Sequence, residues 1–189
     1  MNKPEAIKAL EQELNTTFEQ VAREEITKIK NPFKKYAEYT LNEAGQLTGL
    51  CIAGFRLKAI PKPLHHPEGC KHLTVLNLSC NHLTLLSPLQ GLTNLKELNL
   101  RDNILTNIDP LQGLPQLTKL DLNGNRLTNI TSLEELLANS SCAVGIMNNP
   151  LSYYSKYLIQ KYKPKAIKAL EQKLNTRSEE HTSELQSLS

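Results

Sequence analysis

The sequence predicts an α/β solenoid of about five stacked coils, with a parallel β-sheet on its concave face and helical caps at both ends. A leucine pattern recurs every 22 residues, an asparagine follows each set of leucines, and the second half of each repeat also matches its neighbours. Residues 73–83, 95–105 and 117–127 read Leu-x-x-Leu-x-Leu-x-x-Asn-x-Leu. A motif that recurs in register at this period is typical of proteins in which one coil stacks on the next.

The first half of each repeat predicts a short strand. Leu76 and Leu78 occupy alternate positions, so both side chains point to one side of the strand. One such strand cannot bury its apolar face alone, whereas stacked coils bury theirs against each other. The asparagine lies where the chain leaves the strand, and its amide can pair with buried backbone groups of adjacent coils. We therefore expect a structural role for the asparagines of successive repeats, which are Asn81, Asn103, Asn125 and Asn149.

The N-terminal residues 1–38 predict a helical cap over the first coil, because a solenoid must cover its end leucines. Residues 4–14 place Ala6, Ile7, Leu10 and Leu14 on one helical face. A second helix is expected to begin near Thr16 or Thr17 and to end at Pro32. Its apolar face would consist of Phe18, Val21, Ala22, Ile26 and Ile29.

The solenoid itself is predicted over residues 39–151. It begins with a hairpin, in which residues 39–41 and 46–52 flank a turn that ends in Gly45. The second hairpin strand is also a degenerate first repeat, with Phe55 at the asparagine position and a short insertion before the next coil. Residues 142–148 predict the strand of a degenerate fifth repeat. A helix over residues 151–162 would then close the far end, with Tyr154, Tyr157 and Leu158 covering the last leucines.

The C-terminal residues contain two further segments. Residues 163–176 repeat residues 3–16 except at Glu5, which becomes Lys165, and Glu13, which becomes Lys173. Residues 152–176 therefore predict either a C-terminal helical cap or the start of a second module. Residues 177–189 resemble an in-frame translation of a sequencing adapter, so we expect a foreign and disordered tail.

Composition and charge exclude several classes of protein. The formal net charge is +3 and the basic residues are scattered, which does not favour nucleic acid as a partner. No apolar run has the length of a membrane span, and residues 1–15 lack the apolar core of a signal peptide. The four cysteines form no Cys-x-x-Cys pair, so free thiols and a cytoplasmic location are expected.

The regular units resemble the short leucine-rich repeats of bacterial proteins, including those with the phrase Pro-Leu-Gln-Gly-Leu-Thr-Asn-Leu, here residues 88–95. That resemblance covers about residues 39–160. It implies a right-handed solenoid that binds other proteins. The helix-and-hairpin cap also resembles that of bacterial proteins in which a Roc-COR GTPase follows the repeats. The sequence contains no Gly-x-x-x-x-Gly-Lys-Ser/Thr phosphate loop, so we expect no enzymatic activity of this chain.

The concave face is the candidate binding site, because the outward residues at its centre are polar with mixed charge. These residues are Val75, Asn77, Ser79, Glu97, Asn99, Arg101, Lys119, Asp121 and Asn123. A solvated sheet face without a partner is the alternative interpretation. Residues 65–72 contain three histidines, Glu68 and Cys70, but their spacing matches no familiar zinc pattern, and a polar surface loop is the simpler interpretation. An aromatic ligand platform at Tyr154 and Tyr157 is the other alternative to capping.

The sequence thus predicts a protein–protein interaction module without a cofactor or metal, which binds an unidentified protein on its concave face. Two alternatives remain open. The chain could be the targeting or regulatory domain of a truncated larger protein such as a Roc-COR GTPase. It could also be one of several tandem modules that associate with each other.

Overall fold

A computed structural model of the chain describes residues 3–23, 34–138 and 142–162. Within these residues, seven strands form one sheet, and neighbours in the sheet follow the order of the chain. The strands are β1 (Glu19–Gln20), β2 (Tyr36–Leu41), β3 (Leu47–Ala53), β4 (Val75–Asn77), β5 (Glu97–Asn99), β6 (Lys119–Asp121) and β7 (Ala143–Gly145). The helices are α1 (Glu5–Leu14), α2 (Glu134–Ala138) and α3 (Tyr153–Tyr162). Strands β2 and β3 are antiparallel, and all other neighbours in this sheet are parallel.

Strands β3 to β7 belong to five successive coils and pair in register. The central residues of these strands lie side by side across the sheet; they are Leu50, Leu76, Leu98, Leu120 and Val144. All four leucines are at most 2 % exposed, because each packs between the coils on either side. The α/β solenoid of about five coils with a parallel sheet, which the repeats predict, is confirmed.

Short 3₁₀ turns form the side of the coils opposite the sheet. The turns Ser87–Leu89, Asp109–Gly113 and Thr131–Leu133 occupy equivalent places in three coils. Pro88 and Pro110 lie at the start of the first two turns, where a missing backbone N–H costs nothing. Between the turns and the sheet, aliphatic side chains from all coils form one continuous core.

The repeated asparagines join each coil to the preceding one. Asn103 Nδ2 donates to Leu78 O and Leu100 O, both at 3.0 Å, and its Oδ1 accepts the Leu83 N–H at 2.9 Å. Equivalent bonds are made by Asn81, Asn125 and Asn149. Because Asn103 is only 5 % exposed, loss of its amide would leave buried backbone groups unpaired.

The residue before each of these asparagines adopts a left-handed backbone. The angle φ is positive at Cys80, Asp102, Gly124 and Asn148. This conformation turns the chain out of the strand while its N–H still pairs with the next coil; the Gly124 N–H, for example, donates to Met147 O at 2.9 Å. Glycine adopts such a conformation without steric cost.

Replacing Gly124 by alanine should therefore destabilise the fold. The angle φ is +67° here, and a Cβ would collide with the Asp102 carboxylate. A left-handed backbone costs an L-residue about 1–2 kcal/mol, so we expect the free energy of unfolding in urea to fall by at least that amount. Gly113→Ala is the matched control, since its Cβ would meet only Gln90 O at 3.7 Å. Equal urea midpoints for the two variants would contradict this backbone assignment.

The first predicted helix is confirmed as α1. Ile7 and Leu10 are fully buried, and Pro4 precedes the first turn. The helix ends at Leu14, and the next residue, Asn15, has a left-handed φ of 44°. The helix thus covers the apolar end of the first coil, as a capping element must.

The predicted second helix is wrong for residues 16–23, where the chain instead forms β1. Glu11 Oε1 accepts the Phe18 N–H at 2.8 Å and a bond from Lys3 Nζ at 2.6 Å. These contacts hold the chain in a non-helical conformation while Phe18 enters the core. Ile26, Ile29 and Pro32 lie outside the described residues.

Acid should weaken this N-terminal contact. The hydrogen bond from Lys3, and next the Phe18 N–H, lower the pKa of Glu11. A carboxyl group with a lowered folded pKa stabilises the fold above its unfolded pKa, and this contribution is lost as pH falls through the folded pKa. Between about pH 5 and pH 3, the Tm of the parent should thus fall more than that of Glu11→Gln. Parallel Tm curves for both proteins would show that the Glu11 contact contributes nothing.

The predicted hairpin is confirmed by the pairing of β2 with β3. Asn42 Oδ1 accepts the Gln46 N–H at 2.9 Å, and Gly45 has a positive φ of 74°. Strand β2 begins at Tyr36, which is three residues before the predicted start.

The predicted C-terminal helix is confirmed as α3, and Leu158 is buried as predicted, but the two tyrosines predicted to cover the last leucines with it are not. Ser155 and Leu158 are fully buried, whereas Tyr154 and Tyr157 are 53 % and 52 % exposed. A hydrogen bond explains why the serine is buried. Ser155 Oγ donates to Thr128 O at 3.1 Å, which turns the serine toward the last coil.

Helix α2 is not predicted by the sequence. Residues 163–189, which hold the repeated segment and the tail, lie outside the described residues.

Among the described residues, none of the helices has both the length and the apolar character needed to cross a membrane.

Candidate functional site

The structure brings the predicted site residues together on one face of the sheet. They come from β4, β5 and β6 and from the second residue after each strand. Strand pairing sets Val75 beside Glu97 and Glu97 beside Lys119. It also sets Asn77 beside Asn99 and Asn99 beside Asp121. The third column consists of Ser79, Arg101 and Asn123. We call these nine residues the concave face.

The β4 side of the concave face is covered, so one part of the prediction needs correction. Val75, Asn77 and Ser79 are 2 %, 1 % and 0 % exposed. A residue that is this deeply buried cannot contact a partner without a rearrangement. The remaining six residues of the concave face are exposed or partly exposed.

The N-terminal segment explains part of this burial. Val21 packs against a second apolar cluster that contains Val75 together with Tyr36, Cys51 and Ala53. The chain after β1 therefore turns across the concave side of the first coils. Arg23 reaches further, and its Nη2 lies 3.8 Å from Glu97 Oε1 on β5. Repeat periodicity shows no sign of this contact, because it joins segments that are distant in sequence.

One column of the concave face has a structural function that the sequence analysis missed. Asn77 Oδ1 accepts the Ser79 N–H at 3.1 Å, and Asn99 Oδ1 accepts the Arg101 N–H at 3.0 Å. Asp121 Oδ1 likewise accepts the Asn123 N–H at 3.0 Å. These Asx turns stabilise the end of each strand. The signal was present: asparagine or aspartate occupies the same position in three consecutive repeats.

Charged side chains of both signs lie on the open part of this face. Glu97 lies between two cations, since its Oε2 is 3.7 Å from Lys119 Nζ and its Oε1 faces Arg23. Arg101 Nε lies 3.1 Å from Asp102 Oδ2, and this hydrogen bond raises the pKa of Arg101. The guanidinium is therefore charged at any physiological pH, and it is 52 % exposed.

A shallow pocket with both polar and apolar walls lies between these side chains. Its volume is about 140 Å³. Its lining consists of Val75, Leu76, Asn77, Glu97, Leu98, Asn99, Lys119 and Asp121. Sites for drug-sized ligands and cofactors typically enclose about 300–1,000 Å³. The pocket is thus suited to one side chain of a partner.

Beyond β6, the face becomes small and apolar. Ala143 and Met147 are exposed, Met147 by 75 %. Asn123 Oδ1 accepts the Met147 N–H at 2.6 Å, and a Cβ at Gly145 would lie 2.8 Å from Asn123 Nδ2. Gly145 thereby leaves room for the Asn123 amide, which fixes the loop that carries Met147.

The histidine-rich stretch, residues 65–72, forms part of the first coil. His65 Nε2 pairs with Ile60 O at 2.8 Å, and Cys70 is buried, which raises its pKa to about 11. His72 Nε2 is buried and has no hydrogen-bond partner within the part of the chain that the structure describes. In the same part, no group of three or more histidine, cysteine or carboxylate side chains could hold a metal ion.

All four cysteines are free thiols. Burial, and next the nearby Glu38 carboxylate, raise the pKa of Cys51 to about 12. Burial also raises the pKa of Cys80 and Cys142. Thiols with raised pKa are poor nucleophiles, so these residues do not form a candidate catalytic site.

Comparison with known proteins agrees with the repeat assignment. Residues 72–92 match the family model Leucine Rich Repeat, and residues 93–136 match the model Leucine Rich repeats (2 copies). The two matches are contiguous and cover the three regular repeats. No curated protein matches the chain.

Several solved structures are similar to this chain. Internalin C2 from Listeria monocytogenes is 27 % identical, with a TM-score of 0.50 over 64 % of this chain and 55 % of its own. The internalin inlF from the same species is 20 % identical, with a TM-score of 0.49 over 68 % of this chain and 37 % of its own. A leucine-rich repeat protein from Leptospira interrogans is 22 % identical, with a TM-score of 0.47 over 69 % of this chain and 42 % of its own. The chain thus spans about half the length of internalin C2. The two family matches, the likeness to internalin C2 and the observed coils identify the fold as a leucine-rich repeat solenoid.

Proposed function

We propose that the chain is a non-enzymatic module that binds a protein partner on the open part of its concave face. This open surface consists of Glu97, Asn99, Arg101, Lys119, Asp121 and Asn123. Leucine-rich repeat domains generally mediate protein–protein interactions, and stacked coils present an extended concave surface suited to that role. The observation that carries the proposal is the polar, accessible surface of β5 and β6 within this fold.

The charges of the open surface indicate the chemistry of the partner. Arg101 and Lys119 would attract carboxylates, whereas Glu97 and Asp121 would repel a phosphate backbone. A protein segment that carries both signs of charge complements this arrangement. The exposed Met147 beside the polar rows offers an apolar contact, and methionine is enriched at protein interfaces.

The size of the pocket also favours a protein over a small molecule. A volume of about 140 Å³ between Glu97, Lys119 and Asp121 accepts one side chain but not a cofactor. We infer that one polar side chain of the partner enters here and hydrogen-bonds to Asn99 or Asp121, which with Glu97 and Lys119 form the accessible polar walls. Val75, Asn77 and Ser79 are not part of the proposed site, because they are buried.

A role as the regulatory domain of a longer enzyme, such as a Roc-COR GTPase, stays a prediction, as do the bacterial origin and the cytoplasmic location. The sequence itself holds no phosphate-binding loop of the GTPase type.

A competition capture experiment tests the proposed function. The chain is immobilised and exposed to lysate of its source organism, with and without an excess of free parent chain. We expect at least one protein to be retained and to be displaced by the free chain. Identical sets of retained proteins under both conditions would show that the solenoid has no specific protein partner in that lysate.

A further inference from the structure

Helix α1 is bound to the first coil by side chains on one of its faces. Ile7 and Leu10 are fully buried in the main core. The helix also approaches the two 3₁₀ turns of this coil, Lys62–His65 and Pro67–Cys70. A Cβ at Gly69 would lie 3.4 Å from Ala6 Cβ, and Glu13 Oε2 accepts the Lys62 N–H at 3.1 Å. These turns and the core behind them form the surface that we call the α1 site.

A polar contact completes the capping segment. Lys3 donates to Glu11, which in turn accepts the N–H of Phe18, so the end of the segment is tied to its beginning. Lys3 and Glu11 are both only partly exposed, with side-chain values of 30 % and 22 %. The capping segment is therefore defined by three buried or partly buried apolar residues, Ile7, Leu10 and Leu14, and by this ion pair.

The segment 163–176 contains the same residues at every one of these positions. Ile167, Leu170 and Leu174 correspond to the apolar set, and Lys163 and Glu171 correspond to the ion pair. Ala166 corresponds to Ala6, which faces the second turn. The two segments differ at only two of fourteen positions, and in the first copy both of these positions are exposed.

The two substitutions change the affinity of the segment for the α1 site, but they leave the apolar residues that fit this site unchanged. Lys165 replaces Glu5, which pairs with Lys8 at 2.6 Å on the exposed side of α1. Lys173 replaces Glu13, so the carboxylate that accepts the Lys62 N–H is lost. The first coil should consequently prefer α1 to the C-terminal copy.

We propose that residues 163–176 are a second capping segment that recognises the α1 site, so that the C-terminal segment of one molecule binds the first coil of another in place of α1. Exchange of an identical element between copies of a chain is a low-cost route to association. α1 keeps the advantage in the intact molecule, because it is tethered beside its site and carries Glu13. Exchange therefore becomes measurable when α1 is weakened.

Equivalent leucines in the two segments provide a matched test in the full-length chain. Leu10→Ala opens a cavity under α1, and Leu170→Ala removes the same methyl groups from the copy. Light-scattering mass is measured over a range of concentrations. We expect Leu10→Ala to strengthen self-association about tenfold over the parent, and the double variant Leu10→Ala/Leu170→Ala to return to the parent value. Equal association of the single and double variants would overturn the proposal.

A second measurement leaves the hydrophobic core of the full-length chain unchanged. Glu13→Ala removes the contact with Lys62 but buries no new group, and it should raise the affinity of the full-length chain for a fluorescent peptide of residues 163–176, measured by anisotropy. The same peptide with Lys173→Glu should bind about fivefold more tightly, because it restores the acceptor for the Lys62 N–H. A peptide with Leu170→Asp should not bind. Equal affinities for all three peptides would place their binding elsewhere and overturn the proposal.

Discussion

Arg101→Glu combined with Lys119→Glu should abolish capture of the protein partner and leave the Tm nearly unchanged. The two side chains are 52 % and 60 % exposed, so the substitutions open no cavity and bury no charge. They break the contacts with Asp102 and Glu97, but such surface ion pairs contribute only about 0.2–1 kcal/mol each. In the complex, by contrast, like charges would face each other, which costs several kcal/mol.

The matched control is Lys58→Glu combined with Lys71→Glu. These lysines are also exposed, lie outside the concave face, and change the net charge by the same amount. We expect this control to retain the partner that the parent retains. If the control and the concave variant lost the partner equally, net charge rather than the concave face would govern binding. If neither lost it, the partner would bind elsewhere on the solenoid.

Leu100→Ala, in the central coil, should produce a large loss of stability. Leu100 is fully buried, and the β6 coil and the β4 coil enclose it on both sides. Truncation of a buried leucine costs about 2–5 kcal/mol, because the solvent-transfer energy is lost and a cavity remains. For a chain of this size, that corresponds to a fall in Tm of roughly 4–20 °C.

Leu85→Ala is the control for Leu100→Ala, because it removes the same atoms from a leucine that is 68 % exposed. Its free energy of unfolding should stay within about 0.5 kcal/mol of the parent. A melting curve of Leu100→Ala that overlays the curve of Leu85→Ala would contradict the register of the repeats.

The register of the coils could be predicted from the sequence because it depends on local repetition. Leu76, Leu98 and Leu120 occur at equal spacing, and stacking is the arrangement that buries all three. The bonds of Asn103 follow from the same geometry, since a chain that leaves a buried strand must satisfy its backbone groups.

The path of residues 16–23 could not be predicted in this way. Phe18 and Val21 are three residues apart, which fits a helix, yet Phe18 enters the main core and Val21 enters the cluster around Val75. The deciding contact is the bond between Glu11 and the Phe18 N–H. A tertiary contact of this kind overrides a weak helical pattern and leaves no periodic signal.

The exposure of the candidate site also depends on the N-terminal segment, in which Val21 packs against the cluster that contains Val75. The pattern places Asn77 and Asn99 at equivalent outward positions, but Asn77 is buried and Asn99 is partly exposed. Likewise, hydrophobicity favours Tyr154 over Ser155 as the buried residue of α3, and the hydrogen bond from Ser155 to Thr128 reverses that order. A buried polar group with a partner can thus outweigh an aromatic side chain.

Site-specific photocrosslinking tests the central claim most directly. A benzophenone side chain replaces Lys119 on the open concave surface in one protein and Gln112, which is exposed on the opposite side of the solenoid, in another. Each protein is irradiated with the captured partner, and covalent adducts are identified by mass spectrometry. We predict an adduct from position 119 and none from position 112. An adduct from position 112 without one from position 119 would contradict binding on the concave face.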